Sequence, residues 1–270
     1  MKRLLIAGCG DLGIRLAGRL DRDQWQVSGL RRRVEALPET IIPVSADLSE
    51  PGTLAAVAGD WDAVVYQATP DQYDEAGYRR AYFQGLANLF ERVRARRLIF
   101  VSSTAVYGQD EGEWVDEASE TEPARFNGRV LLEAEALAAR SAPEAVVVRF
   151  SGIYGPGRDF LVRKVAAGEA SCRENPPQWT NRIHADDCAG VLAHLLTLEA
   201  PETLYCATDS RSARRCEVLD WLAGQLHAAA PSRETGSGGQ GKRVANARLL
   251  ASGYRLIHPD YRSGYQELLQ

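Results

Sequence analysis

The chain has 270 residues, of which 45% are hydrophobic and 25% are charged, a composition typical of a globular protein that buries a sizeable core. Its formal net charge of −4 argues against nucleic-acid and anionic-membrane partners, because such partners favour a basic surface. We therefore expect no nucleic-acid partner and no membrane partner.

Short apolar runs rich in β-branched residues alternate with helical patterns through the first two-thirds of the chain. The predicted elements are strand Leu4–Ala7, helix Leu12–Leu20, strands Gln26–Leu30 and Ile41–Val44, helix Thr53–Ala58, strand Ala63–Gln67, helix Tyr78–Arg94, strand Leu98–Val101, a helix that opens within Thr121–Glu135 and ends near Arg140, strand Ala145–Phe150, helix Ala185–Leu198, strand Thr203–Ala207 and helix Cys216–Ala229. This alternation is typical of βαβ units and predicts an α/β fold with a doubly wound parallel sheet.

The cysteines are scattered and odd in number, and none forms a CxxC pair: Cys9, Cys172, Cys188, Cys206 and Cys216. This pattern favours reduced thiols over disulfides or a zinc site, so we expect a cytoplasmic protein without a bound metal. No apolar run approaches the roughly 20 residues of a membrane span, so we also expect the chain to be soluble.

The segment Ser232–Lys242 is rich in glycine, and Gly236 to Lys242 fits the skeleton GxxxxGK of a phosphate-binding loop. That motif requires Ser or Thr next, where this chain has Arg243, and it requires a preceding strand where this chain has a helical pattern. A mobile glycine loop is the favoured interpretation.

The sequence IAGCGDLG follows the first predicted strand and opens the first predicted helix, with glycines at positions 8, 10 and 13 around Asp11 and Leu12. In a dinucleotide site Gly8 permits a tight turn, Gly10 lets a pyrophosphate approach the backbone, and Gly13 allows close helix–strand packing. The N-terminus of the helix then stabilises the phosphate charge. A glycine-rich turn without a ligand is the alternative.

Three arginines, Arg31, Arg32 and Arg33, end the second strand about twenty residues after the glycines, where an NAD site usually has Asp or Glu. Arginine accommodates a 2′-phosphate, so the sequence predicts NADP in preference to NAD, and a solvated charge run is the alternative. Asp47 and Leu48 follow the third strand, where the aspartate either accepts from the adenine amino group or caps a helix.

Three further segments, RLIFVSSTAVYG (97–108), VVVRFSGIYGPGRD (146–159) and RIHADDCAGVLAHLL (182–196), resemble the extended short-chain dehydrogenase/reductase family, the NAD(P)-dependent epimerases and dehydratases. The C-terminal tail resembles an atypical bacterial subgroup. The resemblance implies a Rossmann-type dinucleotide-binding domain over 1–155 and a small substrate-side region over 156–270, with part of 182–207 returning to the first domain.

The resemblance also implies roles for individual residues toward the cofactor and a small-molecule substrate. Gly8, Gly10 and Gly13 hold the pyrophosphate, and Asp47 and Leu48 flank the adenine. The segment Ala68, Thr69, Pro70 passes under the ribose, Tyr154 lies near the nicotinamide, and Ser103 occupies the catalytic serine position. Relatives often pair through the helices that correspond to 78–94 and 126–140, which implies a possible homodimer.

The family's catalytic pair, spaced YxxxK, falls on Phe126 and Val130, so the usual proton donor is missing. Tyr107 is the expected replacement acid, with Ser103 orienting the substrate oxygen, and structural packing of Tyr107 beneath its loop is the alternative. We expect an NADP-dependent oxidoreductase or epimerase/dehydratase-like enzyme that acts on a small carbonyl or sugar-like substrate. The alternative is a catalytically inactive NADP-binding redox sensor or regulatory protein.

Overall fold

The protein, described over residues 1–269 by a computed structural model, alternates strands and helices as its hydrophobic pattern predicts. The strands are β1 (Lys2–Ala7), β2 (Trp25–Arg31), β3 (Ile42–Ser45), β4 (Gly59–Tyr66), β5 (Val93–Ser103), β6 (Glu111–Val115), β7 (Glu144–Phe150), β8 (Gly152–Tyr154), β9 (Ser171–Arg173), β10 (Trp179–Thr180), β11 (Arg182–His184), β12 (Leu204–Ala207), β13 (Ala213–Arg214), β14 (Ser232–Glu234) and β15 (Gly241–Val244). The α-helices are α1 (Asp11–Arg19), α2 (Glu75–Tyr78), α3 (Gly85–Phe90), α4 (Phe126–Ala138), α5 (Phe160–Ala166), α6 (Ala185–Thr197), α7 (Arg215–Leu226), α8 (Ala247–Ala251) and α9 (Tyr261–Leu268).

One seven-stranded sheet has the order β12-β7-β5-β4-β1-β2-β3. The pairings of β1 with β2 and β4, of β2 with β3 and of β4 with β5 are all parallel. The interior strands read as continuous apolar runs because helices cover both faces of such a sheet, and the last four residues of β1 are fully buried. The predicted α/β fold with a parallel Rossmann-type sheet is confirmed.

The chain divides into two compact units and crosses between them several times. Unit 1 contains Met1–Val106, Thr121–Arg149 and Ala189–Tyr205, and unit 2 contains Tyr107–Glu120, Phe150–Cys188 and the chain from Cys206 onward. The early segment Tyr107–Glu120 belongs to unit 2 because β6 pairs in parallel with β15. Among residues 1–269, no helix combines the length and apolar character needed to cross a membrane.

The predicted helix 78–94 is interrupted and ends early. The chain forms α2, then a π-helical segment over Arg79–Gln84, then α3, and β5 already begins at Val93. The buried Tyr66 hydroxyl donates to the carbonyl of Ala81 within the π segment. A side chain that bonds into the helix ladder is a recognised cause of such a bulge.

Two of the five cysteines contradict the prediction of reduced thiols. Cys172 on β9 and Cys216 on α7 are joined by a disulfide within unit 2, although 44 residues separate them in the sequence. Cys9, Cys188 and Cys206 are buried and form no disulfide. Spacing alone did not reveal the pair because α7 packs against β9 only after folding.

The glycine-rich segment 232–242 contributes β14 and β15, which pair with β9 and β6 respectively. A strand follows the glycines where a phosphate-binding loop requires a helix, and the ammonium of Lys242 donates to the carbonyl of Tyr107. The phosphate-binding alternative is therefore excluded for this segment.

A buried ion pair holds α4 against the sheet in unit 1. Arg149 on β7 donates to Glu135 on α4 through Nε (3.0 Å) and Nη2 (2.6 Å), and the Ser102 hydroxyl donates to the same carboxylate. Both charged side chains are less than one-tenth exposed. Loss of one partner would leave the other charge buried and uncompensated. Stable packing of α4 against the sheet therefore requires both members of the pair.

We expect Glu135→Gln to lower the free energy of unfolding by about 3–5 kcal/mol, the usual cost of removing one member of a buried pair. The matched control is Glu133→Gln on the same helix, whose carboxylate pairs with Arg79 at an exposed position. That change should cost at most about 1 kcal/mol. Urea unfolding followed by circular dichroism measures both variants, and equal losses would contradict the prediction.

Candidate cofactor-binding site

The turn between β1 and α1 requires glycine at position 8. Gly8 has φ +83°, and a Cβ added there would lie 2.7 Å from the backbone of Ala68. The amides of Gly8 and Cys9 both donate to the carbonyl of Leu30 at the end of β2, at 3.0 and 2.9 Å. The turn is thus fixed against the ends of its two neighbouring strands.

The other two glycines of the motif differ in their surroundings. A Cβ on Gly10 would meet only the carbonyl oxygen of Gly8, at 3.9 Å. The protein therefore leaves open the space beside Gly10 through which a pyrophosphate is predicted to approach the backbone. A Cβ on Gly13 would lie 3.0 Å from Cys9 Sγ and would overlap the Gln67 side chain, so Gly13 serves helix–strand packing. Both side-chain polar atoms of buried Gln67 lack a hydrogen-bond partner in the described structure.

A cavity of about 260 Å³ lies at the ends of the strands in unit 1. Most of the sequence-predicted residues line it: Gly8, Gly10, Arg31, Arg32, Asp47, Leu48, Ala68 and Thr69. The other five predicted cofactor-binding residues, Asp11, Leu12, Gly13, Pro70 and Tyr154, do not line it. Leu12 and Gly13 are buried in α1, the carboxylate of Asp11 accepts from Arg15 at 3.0 Å, and Pro70 follows the lining segment.

Arg32 forms a bidentate ion pair across the cavity wall with Asp71, with distances of 2.7 Å (Nη1 to Oδ2) and 2.6 Å (Nη2 to Oδ1). Both side chains are exposed, and the arginine lowers the pKa of the Asp71 carboxyl through the hydrogen bond and its charge. The sequence analysis missed Asp71 and Arg80, which also line the cavity. The position of Asp71 directly after the predicted ribose segment was the available signal.

Asp47 does not cap a helix. Its Oδ1 accepts from the amide and the hydroxyl of Ser49, at 2.9 and 2.7 Å, in a local turn before the 3₁₀ segment Pro51–Val57. Leu48 lies beside it on the cavity wall. The helix cap that the sequence offered as an alternative for Asp47 is therefore not formed, and the side chain stabilises this turn.

Helix α4 uses the family's catalytic positions for packing. Val130 is fully buried, and a Cβ on Gly128 would lie 2.5 Å from the carbonyl oxygen of Ala105. Ser103 ends β5, and its hydroxyl accepts from the amide of Ala105 at 3.2 Å. The first turn of α4 therefore packs closely on the 3₁₀ segment Thr104–Val106 that follows Ser103.

Two phenols surround the ring of Phe126. The ring centroid of Tyr73 lies 5.4 Å from that of Phe126, and the centroid of Tyr78 lies 5.4 Å from it at an interplanar angle of 90°. Tyr73 is 67% exposed, whereas burial and the neighbouring Tyr73 raise the pKa of Tyr78. Phe126, which stands where the family has its catalytic tyrosine, is thus in contact with two tyrosine side chains from another segment.

Tyr107 has a structural partner. This side chain is buried in unit 2, its hydroxyl donates to the carbonyl of Asp116 at 2.7 Å, and Cys206 Sγ lies 3.0 Å from the same oxygen. The hydroxyl proton is therefore engaged inside unit 2. This geometry matches the packing alternative for Tyr107 and argues against its assignment as an acid.

Unit 2 contains a group of buried polar atoms without hydrogen-bond partners among residues 1–269: Ser151 Oγ, Tyr154 Oη, Arg182 Nη1, His184 Nε2 and Asp209 Oδ2. Tyr154 belongs to this group and is not part of the cavity lining in unit 1. Burial raises its pKa, and burial also raises the pKa of Asp209 to about 7. Unit 2 thus keeps polar groups in a poorly solvated interior.

Asp187 anchors the C-terminal segment within unit 2. Its carboxylate accepts from the Tyr254 hydroxyl at 2.9 Å, from the amide of Ile257 at 2.7 Å and from the amide of His258 at 2.9 Å. Asp187 is fully buried, so these bonds satisfy a charge that is remote from solvent.

A family model described as the RmlD substrate binding domain matches residues 1–220. The chain belongs to this family. It is an extended short-chain dehydrogenase/reductase of the NAD(P)-binding epimerase/dehydratase type, as the sequence motifs indicated.

Its relatives cover nearly the whole chain. It is 40% identical to the structure of a putative NAD-dependent epimerase/dehydratase from Methylobacillus flagellatus, with a TM-score of 0.84 and coverage of 99% of this chain and 97% of that one. It is 27% identical to Protein YeeZ of Escherichia coli K12 over 278 residues, with coverage of 96% and 97%. It is 28% identical to a 3-diazoavenalumate denitrifying reductase of a Streptomyces species over 304 residues, with coverage of 97% and 98%.

More distant structures show the shared fold alone. One is human epimerase family protein SDR39U1 with NADPH, at 21% identity, a TM-score of 0.80 and 99% coverage of both chains. Other neighbours below 20% identity contain NAD.

We expect Gly10→Val to abolish NADPH binding while the fold is retained, because the new side chain would occupy the approach that the protein leaves open. Gly18→Val, on the same helix, is the matched control, since its Cβ meets no atom within 4 Å. Isothermal titration calorimetry measures binding, and circular dichroism checks the fold. Normal NADPH binding by Gly10→Val would show that the glycine loop is only a turn.

Proposed function

We propose that the protein is an NADP(H)-dependent oxidoreductase or epimerase/dehydratase-like enzyme that acts on a small carbonyl or sugar-like substrate. Family membership supports NAD(P)-linked chemistry, and the Streptomyces relative is named a reductase. When bound, the nicotinamide would accept or supply hydride.

The observation that carries the cofactor assignment is the arginine run on the cavity wall in unit 1. Arg31, Arg32 and Arg33 all line the cavity together with Asp47 and Asp71, and Asp71 is ion-paired with Arg32. A 2′-phosphate would find guanidinium donors there, and arginine suits phosphate because its planar donors bind two oxygens at once.

The glycine turn and the start of α1 would hold the pyrophosphate. Gly10 leaves room for it, and the free amides at the helix N-terminus favour its negative charge. The segment Ala68–Thr69 lines the same cavity and would support the ribose, with Pro70 following it, and Asp47 and Leu48 would contact the adenine. Tyr154 stays a prediction as a contact of the nicotinamide.

The proton relay requires a donor other than the residue at position 126. We assign the substrate contact to Ser103 and the donor role to Tyr73, because Tyr73 is exposed and packs on the Phe126 ring. Hydride transfer to a carbonyl places negative charge on oxygen, so a donor within hydrogen-bond reach accelerates it. Tyr107 is replaced in this role because its hydroxyl proton is engaged by Asp116.

We expect the double change Arg31→Ala and Arg32→Ala to weaken NADPH binding by about 10- to 150-fold and to leave NADH binding nearly unchanged. This range corresponds to about 1.5–3 kcal/mol for a lost charge-assisted phosphate contact. Arg94→Ala, at an exposed ion pair with Asp60, is the control. Calorimetric titration of both cofactors is the measurement, and tighter binding of NADH by the unaltered protein would refute the assignment.

Turnover is tested by following NADPH consumption against a panel of small aldehydes, ketones and sugars. With an active substrate, Tyr73→Phe should lower turnover by about 10²-fold, the usual scale for a lost general acid, without weakening NADPH binding. Tyr107→Phe should leave turnover much less affected, since it removes a structural hydrogen bond. A larger loss of turnover in Tyr107→Phe than in Tyr73→Phe would contradict this assignment and indicate that Tyr107 is the donor.

A catalytically inactive NADP-binding sensor or regulatory protein is the second proposal. The observation that favours it is the fully buried Val130 at the lysine position, together with an aromatic ring at position 126. NADPH binding without turnover of any substrate in the panel would favour this second proposal. The possible homodimer stays a prediction.

A further inference from the structure

Four metal-ligating side chains converge in unit 2. They are His184 at the end of β11, Asp186 in the first turn of α6, His258 before α9, and Glu267 on α9. One donor atom of each lies within 4.8 Å of the donor atoms of all the others.

The contacts inside this cluster already pair each imidazole with a carboxylate. His258 Nε2 lies 3.0 Å from Glu267 Oε2, and His184 Nδ1 lies 3.8 Å from Asp186 Oδ2. The two imidazole rings also face each other, with centroids 4.1 Å apart. Two imidazoles at this distance do not readily carry positive charge together, whereas a shared cation would attract both.

His184 is the more deeply buried of the two imidazoles in the cluster. Its side chain is fully buried, and its Nε2 has no hydrogen-bond partner among the described residues. A buried imidazole with an unsatisfied nitrogen is costly unless a ligand or partner compensates it.

We propose that His184, Asp186, His258 and Glu267 form a binding site for a divalent cation of the zinc type. Two imidazole nitrogens and two carboxylate oxygens are donors that zinc accepts in four-coordinate sites. Magnesium and calcium prefer six or more oxygen ligands and fit this set poorly.

The geometry requires only a modest contraction. Tetrahedral ligands at about 2.0–2.1 Å from zinc lie about 3.3 Å from one another, so donors that are as much as 4.8 Å apart must approach by up to about 1.5 Å. Asp186 and Glu267 can move toward the ion, since their side chains are 24% and 44% exposed. Glu267 also opens the site to solvent and so provides an entry path.

The ion would join the C-terminal segment to β11 and α6. His258 and Glu267 belong to that segment, which Asp187 already holds through the amides of Ile257 and His258. The cluster therefore adds a second attachment beside the first. Its role is structural, and the stability of unit 2 rises with the logarithm of the free metal concentration above the dissociation constant.

Calorimetric titration of the EDTA-treated full chain with zinc chloride tests the site, with thermal unfolding as a second readout. We expect one zinc ion per chain and a higher melting temperature with zinc. Glu267→Gln and His258→Gln should each weaken binding by at least about tenfold and remove the thermal shift.

The matched controls are His227→Asn and Glu169→Gln, which remove exposed residues outside the cluster. His227 has φ +50°, a conformation that asparagine tolerates, so the change keeps the backbone. Glu267→Gln lies at an exposed position and keeps the proposal testable if His258→Gln does not fold. Absence of zinc binding, or equal binding by the unaltered chain and Glu267→Gln, would overturn the proposal.

Discussion

The close approach of Gly8 to Ala68 is the constraint on which the cavity of unit 1 depends. Gly8 adopts a left-handed conformation, and its backbone lies so near the end of β4 that no side chain fits. This contact turns the chain from β1 into α1 and brings the helix N-terminus to the ends of the strands. The same turn leaves Gly10 uncovered. The requirement for glycine at position 8 therefore shapes the floor of the cavity and also keeps the cavity accessible.

The cavity and the positions of the family's catalytic pair lie on different parts of unit 1. The cavity uses backbone atoms of the glycine turn and side chains that follow β2, β3 and β4. Helix α4, by contrast, serves packing through Gly128, Val130 and the ion pair of Glu135 with Arg149. A change from a phenol and an ammonium to apolar side chains on α4 therefore leaves the cavity intact. This separation explains how a chain without the family's catalytic pair keeps the cavity at the ends of its strands.

Unit 2 is held together by contacts that join segments distant in sequence. The disulfide links β9 to α7, β6 pairs with β15 across more than a hundred residues, and Asp187 binds the chain near His258. Each contact closes a long loop, which costs conformational entropy that burial must offset. The unit compensates with a compact apolar cluster centred on α7, Tyr261 and Tyr265.

The sequence by itself determined the parallel sheet, the glycine turn and the arginines of the cavity wall, because each is encoded within one short segment. Apolar runs define buried strands, and the glycine spacing defines the first turn whatever the rest of the chain does. The sequence did not reveal that β5 begins as early as Val93. Exposed Arg94 and Arg96 alternate with buried neighbours there, so this part of the strand lacks the continuous apolar run that marks the buried strands.

Four features could be identified only from the tertiary structure. They are the disulfide, the ion pair of Arg32 with Asp71, the partner of the Tyr107 hydroxyl and the four-residue cluster around His184. In each case the contact joins different elements or loops, and the distance between the partners depends on how complete elements pack. Local propensity carries no information about such distances, which is why these features emerge only once the chain is folded.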